Sequence, residues 1–553
     1  MSRKVGLVLA ESLKAHGLDR IFCVPGESYI GFTNVLGDFE GLDLKVCRHE
    51  AGAAFMATAD GQVTGYCGCC IVSRGPGLCN ATIAMHSALH DAKPLVVLVG
   101  QVERKDIGRM ALQEQNYSVL LADVTKKVIE LVMPEQASEV IARAFHLATT
   151  GTPGPVAVVL PEDIFDELTD VEIDLPRPRV ISSPGKDAVQ QLADMLKKAE
   201  RPLIWVGGAM PHNKETGDKL KKLAEKWQLP MSPTQRRPHL FDFTHPNFGG
   251  YMGIRPPKEY SDMMKKSDLL VSLGERLTDT TSQAYTFPKA PQPQLPLVHI
   301  WPDANEIGRV WRPDLGIAAD PEAMVSALLE MDAPMHSNAR QAWISSLNEL
   351  YCKFMKHEWE PTPDGVNFAA IVCGVDKYLA PDAAISSDAG NFGSYIHRYT
   401  TFRSTHTFLS SILGAMGSGV PMGVAAAMRD PQRQVVIFVG DGGILMTGNE
   451  LATARLYGVN PIIILSDNDN YSTINMHHHV RYPGHVDEKA TILKNPDFVK
   501  WAEAFGAKAF LIKEEAEIDP VFKQAFAVKG QPVLVHVRSS SIQMSAWRRK
   551  PAA

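Results

Sequence analysis

No stretch of the 553 residues approaches the ~20 consecutive apolar residues that a membrane-spanning helix requires. Nor is there an excess of positive charge. The formal net charge is −6, which removes the electrostatic reason to expect nucleic acid or an anionic membrane as a partner. The opening Met1-Ser2-Arg3-Lys4-Val5 has no apolar core leading to a small-residue cleavage site, so a cytoplasmic protein is expected. Cysteines number only eight, and Cys67, Cys69, Cys70 and Cys79 cluster. Their Cys-x-Cys-Cys spacing lacks the paired thiols of a zinc site, and the segment reads as a buried strand carrying small apolar side chains. Low-complexity tracts and heptad repeats are missing. So is a full Gly-x-Gly-x-x-Gly with its following acidic residue, which argues against a nucleotide-binding oxidoreductase. Val206-Gly207-Gly208 is only a glycine turn after a strand, and FAD is not expected.

Hydrophobic residues make up 45% of the chain and charged residues 21%, ordinary values for a globular enzyme. The length accommodates about three domains of ~150 residues. Two segments resemble each other. In the first, Ile71-Val72-Ser73-Arg74-Gly75-Pro76-Gly77 leads to a helical run over Asn80–Asp91 and then to Pro94–Gly100. In the second, Val436–Gly442 leads to a helical run over Ile444–Tyr457 and then to Pro461–Leu465. Continuous apolar strands alternating with helices predict parallel sheets covered on both faces. Polar, proline-containing stretches at Asp174–Gly185 and from Asp332 onward read as linkers around a further α/β unit. The expected architecture is α/β throughout: related parallel-sheet domains at 1–175 and 355–545 flank a Rossmann-like middle domain at 186–332.

The densest chemical signal is Gly440-Asp441-Gly442, followed one helix and one strand later by Asn468 in Asp467-Asn468-Asp469-Asn470. This places an acid and an amide at the carboxyl ends of neighbouring strands, where they can hold a hard divalent cation and, through it, a diphosphate. Asp441, Asn468 and the carbonyl of Asn470 are the candidate metal ligands. Gly442 and Gly443 open the next helix and let backbone amides approach phosphate oxygens. Read alone, Gly-Asp-Gly is a capped strand-to-helix turn; the matched asparagine strengthens the functional reading.

The pattern resembles the signature of thiamine-diphosphate (ThDP) enzymes, with Asp467 replacing the first residue of their Asn-Asn pair. The rest is similar to the acetolactate synthase-like branch. The similarity runs through Ile21–Glu27, Arg48-His49-Glu50-Ala51-Gly52, Gly75-Pro76-Gly77, Gly100–Glu114, Gly414–Pro421 and Tyr471–His477. The resemblance implies a pyrimidine-binding domain, a middle domain and a pyrophosphate-binding domain, with ThDP and Mg2+ as cofactors. Glu50 would stand beside the aminopyrimidine ring and assist loss of the thiazolium C2 proton. Met416 would wedge between the cofactor's rings, and the Gly414 carbonyl would accept from the 4′-amino group. Gly390, Asn391, Gly440, Gly443, Tyr471 and Ser472 would complete the cofactor site. The resemblance also implies that Glu50 reaches a cofactor held by another subunit, hence a homodimer or homotetramer.

Substrate specificity is less legible. Glu27 stands where acetolactate synthases carry glycine. Pyruvate decarboxylases carry an acid there, although the paired histidines of those enzymes have no counterpart here. Glu27 is expected either to protonate the carbanion equivalent left by decarboxylation or to repel a second anionic oxoacid. Gln113 matches a glutamine that faces substrate, and Leu112 replaces a phenylalanine and would widen the pocket. Ser28 and His477 are further pocket candidates. The three histidines His477–His479 cannot converge on one ion from adjacent positions. The resulting expectation is an enzyme acting on small 2-oxoacids, aldehydes or acyloins as an acetolactate synthase-like carboligase. A 2-oxoacid decarboxylase or hydroxyacyl lyase is the second reading; a non-catalytic ThDP-binding paralogue is a third.

Overall fold

The computed structural model describes residues 2–484 and 488–550. Its first sheet contains β2 (Arg20–Cys23), β3 (Asp43–Val46), β4 (Gly68–Val72), β5 (Leu95–Gln101), β6 (Lys127–Glu130) and β7 (Pro155–Pro161), with a small β1 (Arg3–Lys4)–β8 (Leu168–Thr169) ribbon at its side. The middle sheet contains β9 (Pro202–Val206), β10 (Met231–Pro233), β11 (Leu269–Leu273), β12 (Leu297–Trp301) and β13 (Leu315–Ala318). The last contains β14 (Ala384–Ser387), β15 (Thr407–Leu409), β16 (Val435–Gly440), β17 (Ile462–Asp467), β18 (Lys508–Ile512) and β19 (Val533–Arg538). All three main sheets are parallel. The first runs β3-β2-β4-β5-β7-β6 and the last β15-β14-β16-β17-β19-β18, the same spatial order, so the two end domains are topological copies. The middle sheet, β10-β9-β11-β12-β13, has the order of flavodoxin-like folds.

Alternation along each strand sends side chains to opposite faces. In the first sheet, Phe22, Cys70, Val97 and Val99 enter one core cluster, and Ile21, Cys23, Ile71 and Leu98 enter another. The first of these clusters continues into Ile437, Val439, Ile463 and Leu465 of the last sheet, so the two end domains share a core. Between the sheets, the alanine- and glycine-rich helix Glu50–Thr64 packs against its counterpart Gly419–Arg429. Each large apolar side chain buried there contributes about 1.5–3 kcal/mol. At the edge of this contact Arg429 donates to buried Asp60 at 2.6 and 2.8 Å and to Asp19 at 2.8 and 3.0 Å.

Two helices differ from expectation. The first run starts earlier, at Gly75–His90, because Pro76 is compatible with the first helical turn. The segment after Gly440 divides into Asp441–Thr447, a 3-10 turn Gly448–Glu450 and Leu451–Leu456. There Gly448 lies against the Trp501 ring, and Glu450 turns inward to accept from the backbone N–H groups of Arg48 and His49. Beside β2, a 3-10 turn Glu27–Tyr29 leads into the helix Ile30–Leu36. Helix Asn338–Phe354 falls between the expected domain ranges and docks on the middle sheet: Trp343 donates its indole N–H to Pro202 O at 2.8 Å. The Cys69–Cys70 segment is the buried strand the sequence predicts. No helix among the described residues is long and apolar enough to cross a membrane.

Candidate active site

Parallel pairing of β16 with β17 places Gly440 opposite Ser466, so the residues just beyond both strand ends face one cleft. A cavity of about 270 Å3 opens there, lined by Gly440, Asp441, Gly442, Gly443, Asn468, Asn470, Tyr471 and Ser472. Gly390, Asn391, Gly414 and Met416 complete it from the loops after β14 and β15. Asp441 is the first residue of its helix and is buried. Its Oδ1 accepts from Gly442 N at 2.9 Å, and its Oδ2 accepts from Asn495 Nδ2 at 3.0 Å and Asn470 N at 3.3 Å. The same Asn495 amide donates to Asp467 Oδ1 at 2.9 Å, which joins the two acids. Burial first, then the neighbouring Asp467 charge, holds Asp441 above the ordinary carboxylate range. Asp467 is the departure from the Asn-Asn pair, and it is fully engaged. His536 Nε2 lies 2.7 Å from its Oδ2, and Arg538 donates to that oxygen at 2.5 Å. Burial opposes its ionisation, but His536 and Arg538 outweigh that cost and hold its carboxyl low.

The arrangement fits a hard cation with a diphosphate. Asp441 is a buried acid without a cationic partner of its own, beside a second acid. Asn470 Oδ1 is buried with no hydrogen-bond donor, and the Asn468 amide lines the same space. The Asn470 carbonyl accepts from Ser472 N at 2.7 Å and retains a second lone pair. Few protein oxygens completed by phosphate oxygens are what Mg2+ prefers.

The glycines are required by space. A Cβ on Gly442 would stand 2.4 Å from the Tyr471 ring and 3.3 Å from Met416 Cε, and one on Gly443 would stand 2.3 Å from Asp388 Oδ2. Asp388, fully buried, accepts from Gly417 N at 2.9 Å and Ser418 N at 3.3 Å. Thr447 Oγ1 donates to Gly417 O at 2.6 Å. The Met416 loop is therefore anchored on both sides, with Gly414 and Gly417 at positive φ.

The candidates in the first domain lie on a separate face, at the carboxyl ends of β2, β3, β4 and β5. Glu50 begins its helix and is half-buried; its Oε2 accepts from Asn80 Nδ2 at 2.9 Å. Gly77 passes close to Oε1, and Gly75 N donates to Gln113 O at 3.3 Å. Gln113 has φ 65° and, like Glu27, is exposed. Leu112 is 74% exposed. Ser28 is buried beneath Gly100 with its hydroxyl 3.1 Å from Ser73 Oγ. Every residue lining the cofactor-sized cavity comes from Phe368 onward, so the two half-sites do not meet within one chain. His477 lines a larger neighbouring cavity, and the three histidines lie on the helix Ser472–Arg481. Among the described residues no group of three or more His, Cys, Asp or Glu is arranged to hold a metal. Sequence reading assigned no role to Asn80, Asp388, Asn495, His536 or Arg538. For Asp388 and Asn80, proximity to candidate motifs was the available signal; the other three are distant in sequence from Asp441 and carry none.

This architecture, with a diphosphate-sized cleft on one end domain and an exposed glutamate face on its topological copy, defines a thiamine pyrophosphate enzyme. The chain belongs to that family. Residues 3–120 match the N-terminal TPP-binding domain of the thiamine pyrophosphate enzymes, 189–328 the central domain and 388–537 the C-terminal TPP-binding domain. Among the proteins it is similar to are acetolactate synthase large subunits. It is 29% identical over 546 residues to a probable acetolactate synthase large subunit of Methanocaldococcus jannaschii, covering 96% of this chain and 90% of the relative. It is 28% identical to the acetolactate synthase large subunit of Corynebacterium glutamicum (95% and 85% covered) and 26% identical to that of Lactococcus lactis (96% and 91%). The protein is a thiamine-diphosphate-dependent enzyme.

Proposed function

We propose that this enzyme is a Mg2+-dependent carboligase that acts on 2-oxoacids next to their carbonyl, in the manner of acetolactate synthases. The observation that carries the reading is the convergence of Asp441, Asn468, Asn470, the Gly440–Gly443 turn and Met416 on one cavity of about 270 Å3. Asp441, Asn468 and the Asn470 carbonyl would hold the metal, and Gly442 and Gly443 would give the diphosphate room. Bound ThDP supplies a nucleophilic carbon and a sink for the electrons released with carbon dioxide.

The protein's own part is positioning and proton management. Met416 lies across Gly442 and would enforce the bent cofactor. Glu50 Oε2 is oriented by Asn80, leaving Oε1 to exchange a proton with the cofactor's aminopyrimidine ring. Because Glu50 faces outward on its own chain, the working site would form between two copies, with a homodimer as the minimum unit. Exposed Glu27, Gln113 and Leu112 would then be covered by the partner and face the substrate. Glu27 favours the second reading, a decarboxylase or lyase, since an acid there can protonate the reacting carbon before an acceptor arrives.

The deciding experiment is a product assay of the purified protein with ThDP, Mg2+ and a panel of 2-oxoacids and aldehydes. Acetolactate-like or acyloin products support the carboligase. Aldehyde alone selects the decarboxylase, and no turnover of any 2-oxoacid overturns both.

A further inference from the structure

The cavity beside the cofactor pocket is larger than a pyruvate-sized substrate needs. Its volume is about 960 Å3, and it shares Ala389, Gly390, Asn391 and Gly414 with the smaller pocket. Four separate parts of the chain build it: the middle-domain loop around Gln235–Glu259, the end of the helix Asn338–Phe354 with Glu360, the last domain near His397 and His477, and the C-terminal segment Gln543–Arg549. Much of the wall is apolar, including Tyr251, Phe354, Met476 and Trp547.

The buried polar atoms on this wall without partners among the described residues are nitrogens. Arg236 Nε, both ring nitrogens of His397 and His477 Nδ1 are buried and make no hydrogen bond. Arg236 is only 5% exposed, and its other contacts run to Ser387, Asp388 and Ser410. His397 is stacked on Tyr251 with ring centroids 4.6 Å apart, so it cannot turn away to find a partner. At the mouth stand Arg255 and Arg548, both exposed and lacking a carboxylate partner among the described residues. Other cations on the wall are matched: Arg549 pairs with Glu360 at 2.6 Å and Lys258 with Asp262 at 2.5 Å. One carboxylate on the wall, Glu259, is also unmatched, next to Lys258 in the chain. The charges of Arg255, Arg481 and Arg548 all act on the His477 ring.

Backbone geometry adds to this. Arg236 has φ 60° and Arg255 φ 51°, a left-handed conformation that residues with a Cβ avoid unless the surroundings impose it. Buried Gln235 ties the two segments together, its Oε1 accepting from Ile254 N at 3.1 Å, and Arg236 N donates to Tyr251 OH at 2.9 Å. Two arginines are thus held in unfavourable backbone to face one cavity.

We propose that this cavity receives the non-reacting part of the substrate, an apolar stem ending in a carboxylate or phosphate. Arg255 and Arg548 clamp the anion, and Arg236, His397 and His477 donate along the way. The inference rests on the reading of 2-oxoacid chemistry in the adjoining pocket, and it names the substrate class: 2-oxoacids with a distal anionic group. A guanidinium fork suits either anion, and such charge-assisted contacts discriminate strongly against an uncharged end.

The test is calorimetric binding to Glu50→Gln protein loaded with ThDP and Mg2+, which holds substrate without turning it over. The probes are matched pairs: 2-oxoglutarate against 2-oxopentanoate, then longer homologues, each with a distal carboxylate or a methyl end. A phosphonate-ended homologue separates phosphate from carboxylate recognition. At least one anion-ended probe is expected to bind tenfold or more tightly than its methyl-ended partner. Adding Arg255→Met or Arg548→Met should reduce that preference to threefold or less, while the affinity for the methyl-ended probe shifts by less than threefold. Equal affinities at every length, or a preference that survives both substitutions together, overturns the proposal. Turnover of the whole 2-oxoacid panel, anion-ended and methyl-ended, by the wild-type enzyme is read separately. Its absence, with the binding preference present, would remove the 2-oxoacid reading and leave the anion subsite standing.

Discussion

At the scale of single residues, the site separates holding from activating. Asp441 holds: its carboxylate is buried, unbalanced by a cation and joined through Asn495 to Asp467. Replacing it with alanine should weaken ThDP binding in the presence of Mg2+ by at least about tenfold, given the ~1.5–3 kcal/mol of a charged contact. A chelator should cause the same loss in the wild type and no further loss in Asp441→Ala. Unchanged affinity by titration calorimetry would remove Asp441 from the metal site. Glu50 activates: Glu50→Gln should keep ThDP affinity within about threefold yet slow exchange of the cofactor's C2 proton by at least ~100-fold, the usual contribution of a positioned acid or base. Normal exchange measured by NMR would reject that role.

At the scale of elements, the two end domains are joined by a helix pair and an ion-pair clamp. Arg429→Ala would leave the Asp60 carboxylate, whose side chain is 6% exposed, buried with only the more distant Arg20 at 4.0 Å. A loss of about 3 kcal/mol is expected, read by denaturant unfolding. Part of it should return in the Arg429→Ala, Asp60→Asn double variant; a loss below about 1 kcal/mol would mean the helix pair alone secures the contact. The middle domain meets the first at Lys93, which donates to Gly208 O at 3.3 Å. Burial, then the Arg237 charge, pushes its ammonium down to about 7. The unfolded chain keeps that proton up to the ordinary lysine value, so wild-type stability should rise between pH 7 and about 10. Lys93→Met should therefore raise Tm most below pH 7, and its advantage should shrink by pH 9.5. A constant difference would show that Lys93 keeps its proton in the folded protein.

At the scale of the whole molecule, the cofactor-sized cavity is lined only from Phe368 onward while Glu50 faces outward elsewhere. If the working site forms between two copies, two inactive variants should repair each other. Mixing Glu50→Gln with Asp441→Ala, after dissociation and reassembly, would make half the dimers mixed, each with one intact site. About a quarter of wild-type activity is expected for a closed two-fold dimer. No recovery, with mixed dimers verified by mass, would place a complete site in each chain.

What the sequence determined by itself was local. Glycine turns after continuous apolar strands are short-range features, so the repeated strand-turn-helix units, the parallel sheets and the Asp441–Asn468 pair were legible from periodicity and spacing. The full strand order, the core shared by the end domains and the break at Gly448 were not. They depend on which faces bury against each other and on Trp501, Arg48 and His49 arriving from elsewhere in the fold. The same holds for the restraints on the site. Asn495 reaches Asp441 and Asp467 from the segment after β17, His536 and Arg538 reach Asp467 only after two further strands have been laid down, and no local pattern marks any of them. Tertiary structure also exposed Leu112 and buried Ser28, because a residue's depth depends on its neighbours in space. Chemistry that needs one acid and one turn is written locally; the balance of charge around that acid is settled only when distant strands come together.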